Sequence, residues 1–313
     1  MGRRVIAAVL AATMLFSCGP RGQKKAPAQA ERDFPYIVVP DMYEDPDDRV
    51  DYAVQHFWDR FLTGEPVYLS DSLHFNGVAK EELEKAAGTY FSLVKTAANA
   101  AEAMSSFHEK IYVYDAARGD NVYDELCRLT EKYLYNPSSP ARDEELYLPF
   151  VSAKTDSGRA SASDRFAVKI CSLNRPGTKA ADFGFIDTKG RRRTLYGIKA
   201  ELIVLIFGHP DCEACREMVG YFSEIDGLSD AIRSGRIAIV DIYTDEDVAA
   251  WKAGVGNYPS DWLCGYDPEG LINSNTLYAV RAVPSIYLLD IDKTVIAKDI
   301  ELSNLNYYLS SVL

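Results

Sequence analysis

The spacing of apolar residues changes character about half-way along the chain. In the first half, Asp47-Asp48-Arg49 is followed by Val50, Val54, Phe57, Trp58, Phe61 and Leu62 at three- and four-residue intervals, closed by Gly64. That period predicts an amphipathic helix with acidic residues in its first turn. The same pattern recurs from about residue 79, with Leu83, Ala87, Tyr90, Phe91 and Val94 on one face. It recurs again over 98–114, 121–135, 144–154 and 163–173. Loop signals such as Gly119, Asn136-Pro137 and Asp156-Ser157-Gly158 separate the segments. Residues 34–173 are therefore expected to form an all-α domain.

From residue 174 the period shortens. Residues 181–187 alternate as a strand, Lys189-Gly190 turns, and 193–195 return. The run Leu202 to Phe207 is apolar throughout and reads as a buried central strand, broken by Gly208, His209 and Pro210. A helix begins at Cys212, with Met218, Tyr221, Phe222, Ile225 and Leu228 as its apolar face. A second buried strand is expected over 237–242 and a helix over 245–253. An insertion-like loop follows over 258–270, then a helix over 271–280. Pro284 opens a strand to Asp290, and a turn, a strand over 294–300 and a helix over 303–313 close the chain. Strand, helix, strand, helix implies a parallel pair with a right-handed crossover, and so an α/β domain over 174–313.

The chemistry concentrates at Cys212-Glu-Ala-Cys215, at the mouth of this strand-turn-helix unit. Unpaired N–H groups and the positive end of a helix dipole favour an anion there, and a thiolate is one. Cys212 is the candidate nucleophile. Cys215, one turn on and facing inward, is placed to close a disulfide with it. A structural zinc site would need two more ligands, and Cys127, Cys171 and Cys264 are isolated, so no metal is expected. Cys127 lies beside an apolar stripe and reads as a buried thiol; Cys264 reads as a solitary, partly buried one, with a third redox thiol as its alternative. Asp211 and Glu213 crowd Cys212 with negative charge and oppose its ionisation, which points to the reducing side of disulfide chemistry. With His209, they are the candidate modulators of the site. In the helical half, His56, His74 and His108 form no motif, and the tyrosine-rich faces read as helix packing.

A formal net charge of −12 over 313 residues argues against nucleic acid as a partner. Arg3 and Arg4 precede an apolar stretch over 5–16, too short to span a bilayer and suited to a signal peptide. It ends in Leu15-Phe16-Ser17-Cys18, which resembles the bacterial lipoprotein signal. The resemblance implies removal of residues 1–17, acylation of Cys18 and anchoring in a lipid bilayer; ordinary secretory cleavage near Ser17 is the alternative. Residues 18–33 are polar and rich in Gly, Pro, Ala, Gln and Lys, as in a flexible tether. Arg21, Lys24 and Lys25, with no acid before Glu31, favour a periplasm-facing anchor.

Several stretches together resemble the thioredoxin-like fold of the TlpA/ResA-like thiol:disulfide oxidoreductases. They are Ala181-Asp182-Phe183 with Asp187 and Gly190, the apolar strand before Cys212-Glu-Ala-Cys215, and Val283-Pro284 before Ile286-Tyr-Leu-Leu-Asp290. The resemblance spans about 177–313. It implies that Pro284 is cis and packs against the sulfurs, and that Val283 offers backbone groups to an extended substrate. It further implies protein or peptide disulfide substrates, a membrane or periplasmic electron donor and no cofactor. The whole chain also looks like exported, lipid-anchored bacterial proteins in which a helical domain of unknown function precedes such a module. The chain departs from the family at Asp211 and Ala214, where Trp and Pro are frequent, and at Ile206, where many thioredoxins bury an acid. Met218 stands where some relatives carry glutamate, with Glu217 one residue early. An assisting base is therefore unassigned. A lipid-anchored scaffold with an inactive thioredoxin fold and a thiol peroxidase are the competing functions.

Overall fold

The computed structural model describes residues 30–63, 68–274, 276–300, 302–310 and 312–313. The expected signal peptide, Cys18, the tether as far as residue 29 and the closing Gly64 lie outside the described residues.

The first domain contains α1 (Pro46–His56), the short strands β1 (His74–Phe75) and β2 (Val78–Ala79), then α2 (Lys80–Val94), α3 (Ala100–Arg118), α4 (Val122–Leu134), α5 (Glu144–Asp156) and α6 (Ala162–Cys171). The ends follow from side-chain chemistry. Asp45 caps α1 by accepting from the N–H groups of Asp47 and Asp48, and Pro46 occupies its first turn. Ser161 and Asp164 form a reciprocal capping box on α6. Gly119, at φ 63°, takes the left-handed position that stops α3. The core is aromatic: Trp58 stacks on Phe107 at 5.0 Å, with Phe34, Phe57, Phe61 and Tyr90 around them. The domain is not purely helical, because β1 and β2 form a hairpin about Asn76-Gly77, both at positive φ. Asn-Gly is the dipeptide such a turn favours, but two-residue strands are too short to leave a period in the sequence.

The second domain contains β3 (Gly184–Asp187), β4 (Arg192–Thr194), β5 (Leu202–Phe207), α7 (Glu213–Ser223), α8 (Leu228–Arg233), β6 (Ile237–Tyr243), α9 (Val248–Gly254), β7 (Leu263–Tyr266), α10 (Leu271–Ser274), β8 (Ser285–Asp290), β9 (Val295–Lys298) and α11 (Leu302–Leu309). Seven strands lie in the order β4-β3-β7-β6-β5-β8-β9. Central β5 runs parallel to β6 and antiparallel to β8. It is buried on both faces, which explains its unbroken apolar run. Ile203, Leu205 and Phe207 join the core with Phe185, Tyr278 and Tyr287. Leu202, Val204 and Ile206 join the opposite core with Met218, Phe222 and Leu305.

Three sequence expectations are corrected here. The stretch 258–270 is not an insertion, since it contains β7, which pairs with both β6 and β3. The helix expected over 271–280 is only the four residues of α10. The helix after the cysteine pair ends at Ser223, and Leu228 starts α8 after Gly227, which sits at φ 78°.

The domains meet across a polar seam. Arg175 of the second domain pairs with Glu145 of α5 at 2.6 Å. Lys298 ends β9 against the C-terminus of α6 and donates to the Leu173 carbonyl at 3.0 Å, which suits the negative end of a helix.

Strand β7 fits the sheet only because residue 265 has no side chain. A Cβ there would stand 2.5 Å from the Phe185 ring and 2.8 Å from the Ile186 carbonyl. Gly265→Ala is expected to lower unfolding free energy by about 1–3 kcal/mol. The control Gly220→Ala, on α7 with nothing within 4 Å, is expected to leave stability unchanged or slightly raised. Urea midpoints of the two variants measure the difference.

Candidate active site

The site forms where β5 leaves the sheet. Gly208 to Asp211 turn the chain, and Cys212 caps α7 with extended backbone angles, φ −78° and ψ 127°. Its sulfur accepts the Cys215 N–H at 3.4 Å, and its own N–H donates to the His209 carbonyl at 3.1 Å. The side chain that would ordinarily be Ser, Thr or Asp at such a cap is here a thiol. Cys212 is partly accessible, whereas Cys215 is fully buried; both are free thiols. Burial chiefly pushes the Cys215 thiol up to about 12, against a hydrogen bond from the His209 backbone.

The second wall comes from the start of β8. The Val283–Pro284 bond is cis. The Cys212 thiol lies 3.6 Å from the Val283 carbonyl, which accepts from it. Val283 itself is 37% exposed. The structure thus brings Cys212, Cys215, Val283 and Pro284 to one place.

The modulators fare differently. The His209 ring packs on Tyr243, its Nδ1 accepts the Asp211 N–H at 3.1 Å, and its Nε2 lies 3.7 Å from Asp245. One ring nitrogen thus meets a backbone N–H and the other a carboxylate. Asp211 and Glu213 are exposed on either side of Cys212.

A buried acid missing from the sequence-based account stands on β6. Asp241 pairs in register with Ile206, the position where an acid is absent, and is 2% exposed. Its Oδ2 has no hydrogen-bond partner among the described residues. That oxygen lies only 2.6 Å from where a Cβ of Gly208 would be, so the glycine makes room for the carboxyl group. The next residue, His209, holds Cys215 through its backbone, and the charge of Asp241 is felt at both Cys215 and Cys264. Burial pushes Asp241 up to about 7. The signal available in the sequence was a single acid inside the apolar run Ile237-Ala-Ile-Val-Asp241-Ile-Tyr243.

The remaining thiols are enclosed. Burial pushes Cys127 and Cys171 up to about 12 and raises Cys264, which pairs in register with Asp241. Among the described residues no group of three or more His, Cys, Asp or Glu could hold a metal ion. Nor is any described helix long and apolar enough to cross a membrane. A cavity of about 530 Å³ lies in the seam between the domains, away from the sulfurs, and is lined by Arg142, Glu144, Lys298 and Asp299 among others.

A thioredoxin-like protein from Bacteroides caccae is 26% identical, matches 90% of this chain and 99% of its own, and superposes with a TM-score of 0.80. The second domain has a thioredoxin-like fold. A superposition of that extent takes in both domains in one mutual arrangement. Residues 17–172 match the family model described as Domain of unknown function (DUF5106). A conserved protein of unknown function from Bacteroides fragilis is 36% identical over 43% of this chain and 98% of its own, with a TM-score of 0.42. The thioredoxin domain of a thiol-disulfide oxidoreductase from Bacteroides vulgatus is 22% identical over 44% and 99%, with a TM-score of 0.40. No curated protein matches the chain.

The buried acid has a consequence for stability. The folded state holds the Asp241 proton to about pH 7, whereas an unfolded carboxyl releases it near pH 4. Between those values the native state binds more protons, so its stability falls as pH rises, by on the order of 4 kcal/mol, and is level above. Asp241→Asn stays neutral and is expected to lose that slope. Thermal melts of parent and variant at pH 5 and pH 8 test this: the gap between them should widen toward pH 8 in favour of Asn. Parallel melting curves at both pH values would contradict the assignment.

Proposed function

We propose that the protein is a thiol:disulfide oxidoreductase that reduces protein or peptide disulfides in the cell envelope, in the manner of the TlpA/ResA-like group. The observation that carries this is an accessible N-cap thiol at 3.6 Å from the Val283 carbonyl, with a buried second thiol and a buried carboxyl group behind it.

The Cys212 thiolate attacks one sulfur of the substrate disulfide; the S–S bond breaks, a Cys212–substrate disulfide forms, and the other substrate sulfur leaves as thiolate and takes a proton. Cys215 then gives its proton to the Asp241 carboxylate and attacks Cys212. The mixed disulfide breaks, the second substrate thiolate is released, and Cys212 and Cys215 remain as a disulfide, oxidised by the two electrons the substrate gained. Cys215 needs such a base because burial holds its thiol protonated. A carboxyl group that titrates near 7 is suited to take and release that proton at neutral pH. A membrane or periplasmic electron donor returns the dithiol. An extended substrate would lie along Val283 and Pro284.

The exposed acids Asp211 and Glu213 beside the nucleophile support the reducing direction. Anchoring through an acylated Cys18, with the tether carrying both domains from a membrane facing the periplasm, completes the proposal.

Equilibration in glutathione and dithiothreitol buffers, with alkylated thiols counted by mass, is expected to give one two-electron transition involving Cys212 and Cys215. Its midpoint should lie at or below about −200 mV. Cys215→Ser should accumulate mixed disulfides with substrates, and Cys212→Ser should form none. A midpoint near −120 mV would reverse the direction, and protection of both thiols throughout would end the redox interpretation.

A further inference from the structure

The loop that carries Val283 and Pro284 is tied to the helical domain on both sides. On its N-terminal side, Arg281 reaches across the seam. Its Nη1 donates to the Tyr135 carbonyl at 2.6 Å, Nη2 donates to the Glu144 carboxylate, and the guanidinium lies over the Tyr135 ring at 4.0 Å. Tyr135 follows α4 directly and stacks on Tyr147 of α5 at 4.7 Å, so the platform under the guanidinium is itself packed. On the C-terminal side, Ser285 donates to Asp299 at 2.7 Å, and Asp299 faces Arg142 of the helical domain at 3.5 Å. Glu144 joins the two sides, because its other carboxylate oxygen meets Lys298 at 2.7 Å. Glu144 and Lys298 are almost wholly enclosed.

We propose that the helical domain positions the substrate loop, with Arg281 as the positioning residue that holds Val283 and Pro284 at Cys212 through Tyr135 and Glu144. This rests on the oxidoreductase reading and assigns the first domain a part in it. Arg281 is two residues from Val283, whose carbonyl accepts from the nucleophile's thiol. A guanidinium held by two separate acceptors and backed by an aromatic ring restricts its backbone far more than a single hydrogen bond would. An extended disulfide substrate that aligns on the Val283 backbone depends on that loop's position. A small disulfide that meets only the Cys212 sulfur does not.

The test uses the full-length protein, dithiothreitol as electron source, and two probes: an extended peptide carrying one disulfide, and hydroxyethyl disulfide. Arg281→Ala is expected to raise KM for the peptide about tenfold while leaving its kcat, the hydroxyethyl disulfide rate and the redox midpoint unchanged. Arg281→Lys should recover part of the loss. If Arg281→Ala does not fold, Glu144→Gln removes the carboxylate charge with its shape kept, and must give the same selective rise. Equal losses with both probes would make Arg281 merely structural and overturn the proposal, as would parental KM for the peptide in a folded variant. A parent protein that reduces neither probe would instead overturn the oxidoreductase reading, and the positioning role with it.

Discussion

The pairing of β5 with β8 is the constraint on which the site depends. Phe207, the last residue of β5, stands opposite Ser285, the first of β8. One strand leaves the sheet into the turn before Cys212, and the other enters it from Pro284, so the register alone brings nucleophile and loop to the same end. Because β5 is buried on both faces and paired on both edges, a slip of one residue would exchange its two apolar sets between opposite cores. The 3.6 Å contact between Cys212 and Val283 is built on that strand pairing, which brings the two loops to one end of the sheet.

Within that frame, Asp241 and Gly208 belong together. An ionised carboxyl group in the apolar interior is costly, and the protein meets that cost by keeping it protonated over much of the pH range. A side chain at 208 would occupy the carboxyl group's space. The pair therefore places a titrating acid on β6, one strand away from Ile206, with the His209 backbone leading to Cys215. An arrangement that weakens the native state at neutral pH makes sense as a functional group, since apolar residues fill every neighbouring position of both strands.

What could be seen in the sequence depended on periodicity and spacing. The helices of the first domain, strand β5, the cysteine pair and the Val283-Pro284 strand start were all legible, because each writes a repeating apolar pattern or a local motif into the chain. Four features were not. Asp241 lies in an apolar run, where the hydrophobic pattern dominates and the vacancy beside Gly208 exists only once two strands are paired. Strand β7 is four residues long and includes Cys264 and Gly265, so neither its length nor its propensity marked it. The β1–β2 hairpin is shorter still. The ties of Arg281 and Lys298 to Glu144 join residues more than a hundred positions apart, and charge pairing at such separation has no sequence period at all.

That last group bears on why the two domains form one unit. An apolar seam would tolerate sliding, because hydrophobic contact is not directional. Here Glu144 receives Arg281 and Lys298 on its two oxygens, and Lys298 also faces the carbonyls at the end of α6. Enclosed ion pairs of this kind contribute little net stability compared with apolar packing, but displacement of either partner leaves an uncompensated charge. They therefore select one docking arrangement sharply. Since one of those partners is two residues from Val283, the selected arrangement also sets the loop at Cys212, and the geometry of the thiol site becomes a property of both domains together.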